Sequence, residues 1–478
     1  MMKKDFFLSF LLFAAIQLKA EVTLPLIFGD GMVLQQKTEV NIWGFSDKDK
    51  VIVTPSWENK QYEASVSSGR WSIKIPTPKA GGPYSMTFSD GKVLEAKNIL
   101  IGEVWICSGQ SNMAMTLAGY GGQPVSGGFD EIVGASKYSD RIHVFSCGAN
   151  EGCERELDDL PEGKWNAFSP VSAHKTSAVA FYFAKTLAES MDVPVGIICN
   201  AVGGAAIEAW MSAEMVGRVK NVDYEKIDNP RNTQARRRLA RLYNMWMHPI
   251  IGYTAKGFLW YQGEYNVRTM DPVVYGDLMT EMVRSYRELW KNDKMAFFYT
   301  QIAPYVYEGK DGTSLPRFVE EQIRCLERIP YSGMAATTDV GEGNVIHYFR
   351  KDIVGRRLAY IALSRSYGVL PQKSVPDGPF LCNVEFEGGK ATVTSKGAFG
   401  GLRIGLPVKG FELAGKDKVF HKAEAEFGRD RTHITVSCPQ VPEPIALRYA
   451  FRNYPEEATL VSGSGIPVFP FRTDDWED

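Results

Sequence analysis

Four stretches of this chain carry side chains suited to acyl transfer. "CSGQSNM" holds Ser111, an alcohol just beyond an apolar run that stops at Ser108-Gly109-Gln110. "NAVGGAA" holds Gly203 and Gly204, and "WYQGEYN" alternates Gln262, Glu264 and Asn266 beside two aromatic residues. "TTDVGEGNVIHYF" holds Asp339, Asn344 and His347. A serine can attack a carbonyl carbon, a histidine can take its proton, and backbone or amide N–H groups can hold the oxyanion. Each part alone has a plainer reading. Serine and paired glycines mark turns, an alternating polar set can be a satisfied network, and a lone histidine commonly sits in a core or on a surface. The α/β-hydrolase elbow G-x-S-x-G is absent, because Gly109-Gln110-Ser111-Asn112-Met113 lacks the second glycine.

The elements around these stretches give them a common place. The apolar runs 99–107, 193–200, 256–262, 295–302 and 333–339 show no polar alternation, which suits strands covered on both faces of a parallel sheet. Between them lie helical patterns at 176–190, 272–291 and 351–367. In 272–291, Tyr275, Leu278, Met279, Met282, Val283, Tyr286 and Leu289 form one stripe, and Asp271-Pro272 is a good helix start. The expected fold is α/β, a doubly wound parallel sheet. In such sheets ligands sit beyond the carboxyl ends of the strands. Four of the five runs end there in the residues named above.

Residues 21–98 read as a small β-sandwich of short strands separated by Gly, Pro, Asp and Lys turns. Strand patterns return over 372–478, as a β-rich region packed on the central unit at 99–371. Residues 1–20 read as a signal peptide: Lys3 and Lys4, an apolar stretch from Phe6 to Ile16, and Leu18-Lys19-Ala20 before Glu21. A periplasmic or secreted protein is expected, without membrane insertion after cleavage.

The balance of 54 basic and 56 acidic residues, a net charge of −2, gives no electrostatic case for nucleic acid or an anionic membrane. Of the seven cysteines, Cys147 and Cys153 are the best candidates for a disulfide. No Cys–His spacing suits zinc, so no metal is expected.

The order of the motifs resembles the sialate O-acetylesterase family of SGNH-type hydrolases over some 450 residues. "GDGMVLQQ" and "GRWSIKIPTPKAGGPYSMTF" resemble its N-terminal β-domain, and "GEVWICSGQSNM" its nucleophile block. "GGAAIEAWM", "LYNMWMHPI" with "KGFLWYQGEYN", "TTDVGEGNVIHYFRKDIVGRRLA" and the closing "PFRTDDW" resemble its later blocks. The resemblance implies a cofactor-free serine esterase acting on O-acetylated sugars, with sialic acids first, and water as the second substrate. Ser111 would be the nucleophile and His347 the base and then the acid. The Ser111 and Gly204 N–H groups and the Gln262 amide would hold the oxyanion, with Glu264 and Asn266 fixing their own block.

One departure stands out. The family's histidine block often carries an aspartate two or three residues before the histidine, and a proline just after it. Here those positions read Asn344, Val345 and Tyr348. Asn344 could orient the ring without supplying charge, Asp339 or Glu342 could substitute, or a backbone carbonyl could leave a Ser-His dyad. Three other readings stay open: an acetylesterase acting on xylan, a glycan-binding protein whose esterase site has decayed, and an adhesion scaffold. A sialate site would also want a cation for the sugar carboxylate, for which Arg268, Arg317 and Arg350 are candidates.

Overall fold

Among the described residues the first strands are β1 (Val33–Gln35), β2 (Glu39–Phe45), β3 (Lys50–Pro55), β4 (Tyr62–Ser65), β5 (Arg70–Pro76), β6 (Gly81–Ser89) and β7 (Val93–Gly109). The computed structural model describes residues 22–58, 60–148, 151–370, 377–396, 401–405, 407–428 and 433–477. The expected signal peptide and the expected boundary at 371/372 lie outside these residues.

Strand β7 has 17 residues and serves two sheets. Its first half pairs with β6, and Leu100–Gly102 pair with β1. Its second half, buried from Ile99 to Gly109, is the middle of the central sheet. The expected limit at 98/99 therefore falls inside one continuous strand. One hydrophobic core runs across it, from Val40, Ile42, Trp71 and Phe88 to Trp105 and Phe298.

The central sheet adds β8 (Ile142–Ser146), β9 (Lys164–Ala167), β10 (Val195–Cys199), β11 (Gly257–Tyr261), β12 (Ala296–Thr300) and β13 (Ser332–Ala335). Its order is β13-β12-β11-β7-β10-β8-β9, parallel throughout except for the β8–β9 pair. From β7 the chain passes to β8 and β9 at one edge and returns to β10 beside β7. It then crosses to β11 and runs outward through β12 and β13, so the switch point lies at β7 between β10 and β11. Ligands bind beyond the strand ends at such points.

Helix Pro272–Trp290 begins where expected, with Asp271 accepting a hydrogen bond from Val273 N–H at 2.8 Å and Pro272 in the first turn. It packs on helix Ser314–Arg328, with the rings of Tyr275 and Phe318 4.3 Å apart. Helices Ala178–Met191 and Lys351–Arg365 pack against each other at Gly355, where a β-carbon would lie 2.6 Å from Tyr182 Cβ.

The C-terminal strands β14 (Phe380–Glu387), β15 (Lys390–Lys396), β16 (Val408–Ala414), β17 (His421–Phe427), β18 (His433–Ser437), β19 (Ala446–Tyr449) and β20 (Phe471–Arg472) form an antiparallel sheet with its own core. Buried Asn453 joins it to the helix Ser314–Arg328, accepting from Leu315 N–H at 2.9 Å. The chain is thus mixed α/β, with a central, mostly parallel sheet and separate antiparallel sheets.

The expected Cys147–Cys153 disulfide does not form. Both are free thiols, tied to different segments: Cys147 N–H to Cys199 O at 3.1 Å, Cys153 N–H to Arg241 O at 3.0 Å.

Candidate active site

Strand β7 ends against β11 at Gly109. Its φ is +140°, and a β-carbon there would lie 2.1 Å from Tyr261 O, so only glycine fits. The chain then turns into the short helix Ser111–Ala114, with Ser111 half-buried. The first N–H groups of a helix have no partner within it. Ser111 O accepts from Tyr120 Oη at 3.1 Å and from Met115 N–H at 2.8 Å.

The next residue, Asn112, is buried and fully engaged. Its Nδ2 donates to Glu264 Oε1 at 2.5 Å and to Ile346 O at 3.1 Å, and its Oδ1 accepts from Lys351 Nζ at 2.5 Å. These bonds tie the nucleophile block to the histidine block. Lys351 has no exposed surface and sits over the Tyr348 ring at 3.5 Å. Burial brings its amine down to about 7, against the opposing pull of Glu264 and Glu342. Burial also raises the Glu264 carboxyl, whose Oε2 has no hydrogen-bond partner among the described residues.

Beyond β10, Gly203 is exposed and faces the nucleophile: a β-carbon there would lie 3.7 Å from Ser111 Cβ. Gly204 adopts φ +67°, a left-handed turn that favours glycine. A β-carbon on it would meet Arg236 Nε at 3.4 Å and Arg237 Nη2 at 3.6 Å.

Gln262, at the end of β11, is completely buried. Its Nε2 donates to Asn266 Oδ1 at 2.6 Å, Ala205 O at 3.0 Å and Gln110 Oε1 at 3.1 Å. Asn266 passes the network to Glu208 Oε2 at 3.2 Å, and burial pushes the Glu208 carboxyl up to about 7. The N–H expected from Gln262 for the oxyanion is, in this structure, committed to these three acceptors. Its donors all point inward, where they bind the tips of β7, β10 and β11 together.

His347 lies half-buried in the loop between β13 and helix Lys351–Arg365. Its Nδ1 is 2.8 Å from Gln123 Oε1, and the Tyr120 ring meets its own edge-on at 5.0 Å. Tyr120 and Gln123 exchange two backbone hydrogen bonds, at 3.0 and 2.9 Å. With the carbonyl oxygen of Gln123 facing the ring, Nδ1 carries the proton and Nε2 keeps its lone pair. Burial, and then the Lys351 charge, lower the imidazole pKa.

None of the expected partners reaches that ring nitrogen. Asn344 is exposed. Asp339 is held by Arg357 through two bonds of 2.7 Å, and Glu342 Oε1 accepts from Phe349 N–H at 2.9 Å. Gln123, Tyr120 and Lys351 are the residues the sequence reading missed. The only local hint was a polar amide in the glycine-rich stretch Gly119-Tyr120-Gly121-Gly122-Gln123.

The candidate cations for a sugar carboxylate are also placed. Arg350 pairs with Asp352 at 3.1 Å, and Arg317 donates to Trp476 O at 2.8 Å. Arg268 is exposed in a short turn of helix after Asn266.

A family described as carbohydrate esterase, sialic acid-specific acetylesterase, matches residues 101–362. The chain is 26% identical to the sialate O-acetylesterase of Pongo abelii over 281 residues, which cover 54% of this chain and 51% of that protein. The match thus spans about half the length of that relative. Against the sialate O-acetylesterase of Mus musculus the identity is 24% over 397 residues, covering 70% and 72%. A carbohydrate acetylesterase from Xanthomonas citri has a solved structure that superposes with a TM-score of 0.85 at 31% identity, covering 95% of this chain and 100% of that one.

Proposed function

Because the chain belongs to the sialic acid-specific acetylesterase family of carbohydrate esterases, we propose that it removes O-acetyl groups from sialic acids through an acetyl-enzyme on Ser111. Ser111 Oγ attacks the acetyl carbonyl carbon while His347 Nε2 takes its proton. The Ser111 and Gly204 backbone N–H groups receive the negative oxygen. The bond to the sugar oxygen breaks as His347 returns the proton to it. Water then attacks the acetyl-enzyme, giving a proton to His347; the acetyl–Oγ bond breaks as His347 returns that proton to Ser111 Oγ, and acetic acid leaves, ionising to acetate.

The observation that carries this reading is the hydrogen bond from Asn112 to Ile346 O, 3.1 Å. The residue after the alcohol is bonded to the residue before the imidazole. Gln123 supplies the orienting partner of a Ser-His-Gln arrangement. It selects the tautomer that a base needs and adds no charge.

The central unit over 99–371 is the SGNH-type, doubly wound catalytic part in this reading. The flanking β-units shape the sugar entrance. Export fits the N-terminal composition, and no helix among the described residues is long and apolar enough to cross a membrane.

Acetate release from O-acetylated sialic acid, compared with acetylated xylan, tests the proposal. Faster release from the sialic acid is expected. Release from xylan alone, or from neither, overturns it.

A further inference from the structure

Two guanidinium groups stand beside Gly204, and among the described residues one carboxylate, Glu151, pairs with them. Arg236 Nη1 pairs with Glu151 and its Nη2 donates to Gln234 Oε1 at 3.2 Å, but its buried Nε finds no partner among the described residues. Arg237 Nε reaches Gly204 O at 3.4 Å, and its guanidinium lies over the Tyr265 ring at 4.5 Å. Among the described residues, no carboxylate pairs with Arg237. Both residues are half-buried, with 22% of the Arg236 side chain exposed. Neighbouring like charges are unfavourable without a counter-ion, and the Arg237 charge lowers the pKa of Arg236, after burial.

The remaining acids nearby are already engaged. Glu208, Asp223 and Asp271 line a 200 Å³ cavity that Arg237 and Tyr265 also wall. Asp223 caps the helix Tyr224–Ile227 and Asp271 the helix Pro272–Trp290, while Glu208 accepts from Asn266. Arg237 is left without a direct ion pair among the described residues, so its guanidinium can take a carboxylate from outside. A planar guanidinium pinned on a tyrosine face matches a carboxylate in two-point contact.

The location is as telling as the charge. Gly203 faces Ser111 Cβ, and Gly204 faces the two arginines. Their Cα atoms are about 3.8 Å apart across one trans peptide. A single sugar can therefore offer its acetyl group to Ser111 and an acid group to the arginines. We propose that Arg236 and Arg237 seat the carboxylate of the substrate and so select acetylated acidic sugars over neutral ones. This rests on the esterase reading above. It assigns the carboxylate to residues other than Arg268, Arg317 and Arg350.

The test compares kcat/KM for O-acetylated sialic acid with that for its methyl ester, whose carboxylate is masked, in wild type, Arg237→Gln and Arg236→Gln. Wild type should favour the free acid by about tenfold or more, a ratio that falls as salt rises. Arg237→Gln should reduce that ratio to near one, mainly through KM, and Arg236→Gln should reduce it partly. The ratio does not depend on how much of a variant folds. A wild-type ratio near one, or an unchanged ratio in both variants, overturns the carboxylate seat while the esterase reading stands. A wild type inactive on both sugars but active on p-nitrophenyl acetate overturns the sialate reading and the seat with it.

Discussion

His347 Nδ1 lies 2.8 Å from Gln123 Oε1, so the imidazole is oriented by a neutral amide and not by a carboxylate. A carboxylate in that place would orient the ring and also stabilise the imidazolium that forms when the serine is deprotonated. The amide does only the first. Burial and the Lys351 charge both act against the imidazolium. The result is an imidazole that stays neutral to lower pH, and in the proposed reaction a weaker base.

Gln123→Ala should lower kcat about tenfold to a hundredfold, part of the ~10²–10⁴ that positioned acid–base catalysis contributes. Gln123→Glu should act on the pH profile instead. A carboxylate at Nδ1 raises the imidazole pKa, so the base is lost at a higher pH. The acid limb of kcat/KM in wild type should lie below the ordinary histidine value of about 6.5 and move upward in Gln123→Glu. An unmoved limb removes Gln123 from the ring.

Lys351→Met should also shift that limb upward, because the removed cation opposes the imidazolium. The groups facing Lys351 are Glu264 from the β11 tip, Asn112, the Tyr348 ring, His347, and Glu342 from the histidine loop. Lys351→Met leaves the Asn112 Oδ1 without its donor, so kcat should fall as well. A fall in kcat with an unchanged pH profile would mean that Lys351 acts through packing alone.

Gln262→Leu separates two roles by magnitude. An oxyanion donor costs about 10²–10³ in kcat when removed, with stability little changed. A buried amide serving three acceptors leaves them short of a donor, at about 1–3 kcal/mol of stability. The inward-pointing donors predict the second outcome. Urea unfolding beside steady-state kinetics reads both.

Asp339→Asn should destabilise the fold by about 1–3 kcal/mol, less than the ~3–5 kcal/mol of a fully buried pair, because Asp339 keeps a third of its side-chain surface exposed. The partner lost is Arg357, which is buried. The acid limb of kcat/KM should not move. A shift would return Asp339 to the histidine.

What the sequence made legible was what neighbours in the chain encode. The helix expected over 272–291 spans Pro272–Trp290, since its cap and stripe are local. Runs of apolar residues marked β7, β10, β11 and β12 to within a few residues, apart from the N-terminal extension of β7. The last strand, expected over 333–339, stops at Ala335 because Thr337 N–H and Oγ1 turn to Gln301 Oε1 and O, both at 3.0 Å. The helix Ser314–Arg328 escaped the reading; it carries Pro316 in its first turn and Thr313 makes no capping bond. The family resemblance, carried by ordered motifs, is borne out. Gln123 was not legible, since 224 residues separate it from His347 and only tertiary packing joins them.

Acetate release from O-acetylated sialic acid by Ser111→Ala, in a variant shown by circular dichroism to be folded, tests the central claim most directly. The expected result is a loss of kcat of about 10⁴-fold or more, the scale seen when a serine nucleophile is removed from a hydrolase. Turnover at the wild-type rate without that hydroxyl would contradict an acetyl-enzyme on Ser111.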